Sequence, residues 1–206
     1  MFTGIVTAIG TIESSEQRGD LRCVIACPWD TSQIAIGASI CCSGVCLTVV
    51  ECGDGTFSVD VSGETVERSV PGMWDVSSRL NLEPSLKLGD ELGGHIVTGH
   101  VDGVGQVIFR EETGDSIHLA IRAPAELAAF IAPKGSITVD GVSLTVNKVT
   151  DQRGGSADFD LNIIPHTGEV TTLGALQSGD QVNLEIDVLA RYLKRMEGLR
   201  AAKMDA

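Results

Sequence analysis

Basic residues are scarce in this chain. Fifteen Lys and Arg face 28 Asp and Glu, for a formal net charge of −13. So acidic a surface repels phosphate backbones and anionic lipid, which argues against nucleic acid and membrane partners. Apolar runs of membrane length are missing. The first residues carry no basic, then apolar, then small-residue leader, so a cytoplasmic protein is expected. Also missing are C-x-x-C pairs and any histidine close in sequence to the six cysteines, which all lie between positions 23 and 52. Zinc wants paired ligands at short spacing, and a disulfide scaffold would spread its cysteines. The thiols read instead as reduced, small core hydrophobes. No G-x-x-x-x-G-K-S/T loop, G-x-S-x-G elbow or H-E-x-x-H pair occurs. The glycines of GHVDGVG (99–105) sit in no βαβ pattern and make no dinucleotide fingerprint.

What is present is strand. FSVDVS (57–62), SIHLAI (116–121), SITVDGVSLTVNKV (136–149) and ADFDLNII (157–164) are alternating or β-branched runs, and 24 glycines supply turns. The strands are also written twice. SICCSGVCLTV (39–49) and SITVDGVSLTV (136–146) are identical at seven of eleven positions. Phe2-Thr3-Gly4-Ile5-Val6 echoes Val97-Thr98-Gly99-His100-Val101, and Pro28 echoes Pro124. Glu64-Thr65 matches His166-Thr167, and Asn81-Leu82-Glu83 matches Asn183-Leu184-Glu185. The matches keep their order, and their offset only grows along the chain, which chance does not produce.

The expected fold is therefore all-β. Two pseudo-symmetric small antiparallel barrels occupy residues 1–90 and 91–186, because closing a small sheet removes its edges. Each carries a short helix after its proline, TSQIAI (31–36) and AELAAFI (125–131). A C-terminal helix over 187–206 follows, capped by Asp187, with Val188, Leu189, Tyr192, Leu193, Met196 and Leu199 at helical spacing. It has no counterpart in the first half; it packs on its own barrel or meets copies of itself.

Alternation places Cys46 and Thr48 on one strand face and Val45, Leu47 and Val49 on the other, with Ser143 and Thr145 at the matching places of the second half. A repeated polar pair points to two similar small-molecule sites. His95 and His100 each follow a glycine, where a ligand can approach backbone, and suit proton transfer or a hydrogen bond to a heterocycle. His166 stands opposite Glu64 in the repeat, whereas His118, within a strand, reads as structural. Lys134 reads as a helix C-terminal residue.

MFTGIV, the pair SGVCLTV and DGVSLTV, GGHIVTGHVDG (93–103), Ser62–Thr65 and NIIPHT (162–167) together resemble the riboflavin synthase family of the lumazine-dismutating type, over nearly the whole chain. The resemblance implies Greek-key barrels, a homotrimer formed through the C-terminal helix, and a transferase needing no metal or redox cofactor. Its reaction moves four carbons between two molecules of 6,7-dimethyl-8-ribityllumazine, giving riboflavin and 5-amino-6-ribitylamino-uracil. It implies an active site between the N-barrel of one subunit and the C-barrel of its neighbour, with lumazine synthase as a partner to test. Carried over by motif, Gly4, Ile5 and Val6 would line the N-barrel pocket with Cys46, Leu47, Thr48, Asp60, Val61, Ser62, Gly63, Glu64 and Thr65. Gly99, His100, Val101, Ser143, Leu144, Thr145, Ile164, Pro165, His166 and Thr167 would line the C-barrel pocket, with Lys134 reaching across subunits. His100, Cys46, Ser143 and His95 are the catalytic candidates. Ser43 stands where the family usually has Asn, and Pro84-Ser85 where it has Arg-Ala. Lumazine-binding antenna proteins share the double barrel without the chemistry, but tend to keep only one good site.

Overall fold

The computed structural model describes residues 1–204, with side chains through Met196. The first half folds as β1 (Ala8–Arg18), β2 (Asp20–Ala26), β3 (Ser39–Cys42), β4 (Val45–Gly53), β5 (Thr56–Val61) and β6 (Arg79–Pro84), closed in the order β1-β2-β5-β4-β3-β6. The second half folds as β7 (Gly103–Thr113), β8 (Ser116–Ala123), β9 (Ser136–Val139), β10 (Val142–Thr145), β11 (Lys148–Asp151), β12 (Ala157–Ile163) and β13 (Gln181–Ile186), in the order β10-β9-β13-β7-β8-β12-β11. Its edge strands β10 and β11 are separated in the chain only by Val146 and Asn147, so this sheet curls back on itself. In β4 the same place is a register shift between Val49 and Glu51. The two halves share the bonds around it: Val49 N–H donates to Ala38 O and Val146 N–H to Gly135 O.

Each half has its own core. Ile25, Val49, Phe57, Val59 and Leu82 sit in the first, and Ile121, Val139, Phe159, Leu161 and Leu184 in the second. The segments that lead into the halves cross over between them. Val6 lies in the core of the second half, and Val101 packs against that of the first. Between them Phe2 and Val97 pair antiparallel, with Phe2 N–H donating to Val97 O at 2.8 Å. The turns Ser43-Gly44 and Asp140-Gly141 meet back to back. All four residues have positive φ (45°, 89°, 46° and 79°), as tight hairpin turns of this hand require. A Cβ on Gly141 would stand 2.8 Å from Gly44 N, so this approach needs glycine.

The helices correct the sequence reading. TSQIAI forms only a 3-10 turn, Thr31–Gln33, capped by Asp30 rather than opened by Pro28. AELAAFI shortens to α2 (Ala125–Ala128), with Pro124 at the N-cap. Ile34 is already extended at the end of the first, which packs on β4, and α2 packs on β12. Two unexpected helices, α1 (Gly63–Arg68) and α3 (Pro165–Val170), follow β5 and β12. Their signals were local: Ser62 caps α1 by accepting from Thr65 N–H at 3.2 Å, and Pro165 opens α3. Asp187 caps α4 (Val188–Met204), its Oδ1 accepting from Leu189 N–H at 2.9 Å. Leu189, Tyr192, Leu193 and Met196 are exposed on α4, while Arg191 is anchored to Asp102 at 2.7 Å. Leu199 and the end of the expected tail, 205–206, lie outside the described side chains and residues.

Candidate active site

The crossing segments decide what faces what. Gly4 O accepts from Ser143 N–H at 2.8 Å, and Gly99 O accepts from Cys46 N–H at 2.8 Å. A Cβ on Gly4 would stand 2.6 Å from Ser143 Cβ, and one on Gly99 2.6 Å from Cys46 Cβ. Both glycines have positive φ, 76° and 77°. Residues 4–6 therefore accompany Ser143, and residues 99–101 accompany Cys46. This reverses the grouping that the resemblance implied: the Phe2–Val97 bridge carries each segment past the pseudo-axis to the opposite barrel.

Two buried glutamates hold the segments. Glu83 accepts from Thr3 N–H (2.7 Å), Thr3 Oγ1–H (2.9 Å) and Gly4 N–H (3.0 Å). Glu185 accepts from Thr98 N–H (2.7 Å), Thr98 Oγ1–H (2.6 Å), Gly99 N–H (2.9 Å) and His100 N–H (3.2 Å). Burial pushes both carboxyls above their ordinary range, and the donors offset only part of that cost. Both glutamates were visible as a repeated Asn-Leu-Glu, but nothing in the sequence linked them to segments some eighty residues away.

In the first half the crossing forms a pocket of ≈ 230 Å³ lined by Val45, Cys46, Glu64, Thr65, Arg68, Gly99, His100 and Val101. Ser62 and Gly63 stand at the start of α1, and Thr48 is exposed on the face of Cys46. Leu47 and Val61 point into the core. Asp60 turns outward to Arg22 at 2.5 Å, and that hydrogen bond holds its carboxyl below the usual range. Arg68 was not anticipated; its signal is a position one helical turn after Glu64.

On the second half, His95 joins Ser143 to a third group. Its Nδ1 lies 2.7 Å from Ser143 Oγ and its Nε2 3.2 Å from Thr138 Oγ1. Burial pulls the imidazole below its ordinary range, with the Asp187 charge opposing, so His95 is a neutral hydrogen-bonding base at neutral pH. His95 and His100 thus belong to different barrels. Ile5 and Ile164 are exposed here, Pro165, His166 and Thr167 form the first turn of α3, Leu144 is half-buried and Thr145 exposed. Lys134 is exposed at φ 66°, its N–H donating to Val146 O; its repeat partner is Gly37, at φ 86°. A lysine held in that region marks a position with a reason to be there.

The departures are locally accommodated. Ser43 Oγ accepts from Asn81 N–H at 3.0 Å, as Asp140 Oδ1 accepts from Asn183 N–H at 2.8 Å. Pro84 is the last residue of β6, and pairing resumes with Ser85 N–H to Ser39 O. The asparagines then tie the halves together, Asn81 Nδ2 donating to Asp140 O and Asn183 Nδ2 to Ser43 O, each at 2.9 Å.

Known proteins share this architecture. The lumazine binding domain matches twice, at residues 3–85 and 98–187. A riboflavin synthase of Brucella abortus (strain 2308) is 47% identical over 204 residues, 95% of this chain and 98% of that protein. One of Mycobacterium tuberculosis (strain ATCC 25618 / H37Rv) is 45% identical over 199 residues, covering 95% and 98%. The crystal structure of LumP complexed with riboflavin superposes at TM-score 0.79 with 26% identity, over 90% of this chain and 99% of that one. LumP complexed with 6,7-dimethyl-8-(1'-D-ribityl) lumazine gives TM-score 0.78 with 26% identity over the same shares. Two domain matches in series and relatives similar along nearly their full length lead to one conclusion: this chain belongs to the riboflavin synthase family.

Proposed function

We infer that the protein catalyses the dismutation of two 6,7-dimethyl-8-ribityllumazine molecules into riboflavin and 5-amino-6-ribitylamino-uracil. The observation that carries this is the pair of crossed sites, each with its own glycine carbonyl on its own polar strand residue, Gly99 on Cys46 and Gly4 on Ser143. A reaction between two copies of one substrate needs two related seats. The lumazine C7 methyl is acidic because its carbanion delocalises into the ring, so a nearby base need only assist its removal. Holding the reactants face to face supplies much of the rest, on the order of 7–11 kcal/mol for well-oriented pairs. His100, Cys46, Ser143 and His95 are the groups we assign to the chemistry. Ser143 and His95 act as a hydrogen-bonded unit, while Cys46 and His100 serve the other seat.

The reading extends to assembly. Leu189, Tyr192, Leu193 and Met196 leave an apolar stripe on α4 open to solvent, which supports a homotrimer joined through this helix, with the N-barrel of one subunit facing the C-barrel of the next. The unpaired thiols and the acidic surface suit the cytoplasm. No described helix is long and apolar enough to cross a membrane.

The test is direct. Purified protein is mixed with the lumazine, without metal or nicotinamide, and absorbance is followed at the flavin band. Riboflavin should rise to half the moles of lumazine consumed. Tight binding without riboflavin would instead make the protein a lumazine carrier.

A further inference from the structure

Cysteine stands on both strands at one level of the β3–β4 hairpin. Cys41 in β3 and Cys46 in β4 are directly opposite partners. Cys46 N–H donates to Gly99 O rather than across the ladder. The two therefore form a non-hydrogen-bonded pair, in which antiparallel Cα atoms stand about 4.5 Å apart and side chains come closest. A disulfide wants its Cα atoms about 4.4–6.8 Å apart. Both side chains leave the barrel core on the same face, where they pack with Phe2 and Val97 at the bridge between the halves. The neighbouring Cys42 points the other way, into the core. Cys41 is buried, whereas Cys46 is half-buried and lines the N-barrel pocket. One thiol of the pair meets whatever enters the pocket, and the other lies behind it. The same two places in the second half hold Thr138 and Ser143, partners across β9 and β10 whose hydroxyls are joined by His95.

We propose that Cys41 and Cys46 are an oxidation site, closed to a disulfide by a peroxide that enters the N-barrel pocket. The Cys46 thiol reacts first. Its sulfur forms a bond to one peroxide oxygen, the O–O bond breaks, and the thiol proton leaves with the departing hydroxide as water. The Cys41 sulfur then attacks the sulfenic acid of Cys46. The S–S bond forms, the S–O bond breaks, and the second water takes up the Cys41 proton. The thiol pair gives up two electrons, and one peroxide is reduced to two waters. The bond turns the Cys46 sulfur from the pocket toward β3, so a ligand seated there loses it. That this also stops turnover rests on the dismutation reading above. Only Cys42, Ser43, Gly44 and Val45 lie inside the closed loop. So short a loop gains little from chain entropy, and a dithiol reductant reopens the bond. Transient disulfides of this kind are the ones a reducing compartment uses to sense oxidants.

The experiment treats the full-length protein with hydrogen peroxide. Remaining thiols are counted by alkylation in denaturant and intact mass, and riboflavin formation is assayed, before and after dithiothreitol. Wild type is compared with Cys41→Thr and Cys46→Ser, which take the residues of the second half, and with Cys42→Val, which does so on the other strand face. Wild type and Cys42→Val should each lose one pair of thiols, lose riboflavin formation in step, and recover both on reduction. Cys41→Thr should form riboflavin as wild type does before treatment. It should lose a single thiol and not recover it, because a sulfenic acid without a partner goes on to sulfinic acid. Cys46→Ser should lose none, since its remaining partner is buried. The inference is overturned by a wild type that keeps its thiols at a dose that oxidises Cys41→Thr. It is overturned equally by a pair still lost in Cys41→Thr or Cys46→Ser, or by riboflavin formation that survives loss of the pair. An untreated wild type that forms no riboflavin removes the dismutation reading, and the thiol counts then decide the bond by themselves.

Discussion

At the scale of single residues, the paired positions show how one local task is met by different side chains. Ser43 and Asp140 both accept from the N–H of an asparagine at the junction of the halves. Asp140 is buried, and burial pushes its carboxyl up to about 7. Its folded value lies above its unfolded one, so its contribution is complete below about pH 4 and is lost as pH rises through about 7. Arg79 is among the residues that line the same cleft. Asp140→Asn keeps the acceptor and tolerates the left-handed backbone. It should therefore be about 1–4 kcal/mol more stable than wild type at pH 8 and nearly equal at pH 4, as read by urea unfolding. His95 is held neutral by burial. His95→Ala should cost about 10²-fold or more in kcat, and the wild-type rate should hold down to a lower pH than an ordinary imidazole allows, as a pH–rate profile would show.

At the scale of elements, the crossing segments carry the site, and they tolerate little. Gly99→Ala would drive a Cβ into Cys46 and hold a positive φ. The expected cost is about 2 kcal/mol or more in stability, with loss of turnover beyond it, measurable by thermal melting beside the riboflavin assay. Glu185→Ala would strand the donors of Thr98, Gly99 and His100 inside the protein. We expect about 2–4 kcal/mol of destabilisation and a larger fall in activity than in stability, because His100 loses its anchor. Glu83→Ala should act in the same way on the Gly4 segment.

At the scale of the whole molecule, neither half is finished by its own residues. Val6 fills the second core and Val101 covers the first. The two halves should therefore unfold in one cooperative transition, with fluorescence and far-UV circular dichroism giving the same midpoint. Two separated transitions would contradict the crossed packing. The exposed stripe of α4 makes a further demand. On the homotrimer proposed above, changing Leu189, Leu193 and Met196 to Gln should leave the melting of the barrels nearly unchanged and give a monomer by light scattering, with riboflavin formation lost, because that proposal assigns the two seats of one chain to different intersubunit sites.

Although the run 136–149 is three strands and β1, β2 and β7 went unread, the sequence by itself determined the strands around 57–62, 116–121 and 157–164, the duplication, the two polar strand faces at Cys46 and Ser143, and the capped tail. Each of these is written in local periodicity or in a repeat, and period-two burial leaves its mark on the residues that obey it. Val45, Leu47 and Val49 are buried as that period demands, while Thr48 is exposed. The tertiary structure alone decided which segment meets which strand. A repeat says that residues 4–6 and 99–101 are alike, but two equivalent slots accept either segment, and only the Phe2–Val97 bridge sends each to the far barrel. For the same reason Asp60, on an alternating strand beside the site, turned out to face Arg22, and Arg68 entered the pocket on a helix too short for its periodicity to be read. Such choices are made by contacts between residues far apart in the chain, and no window of sequence contains both partners.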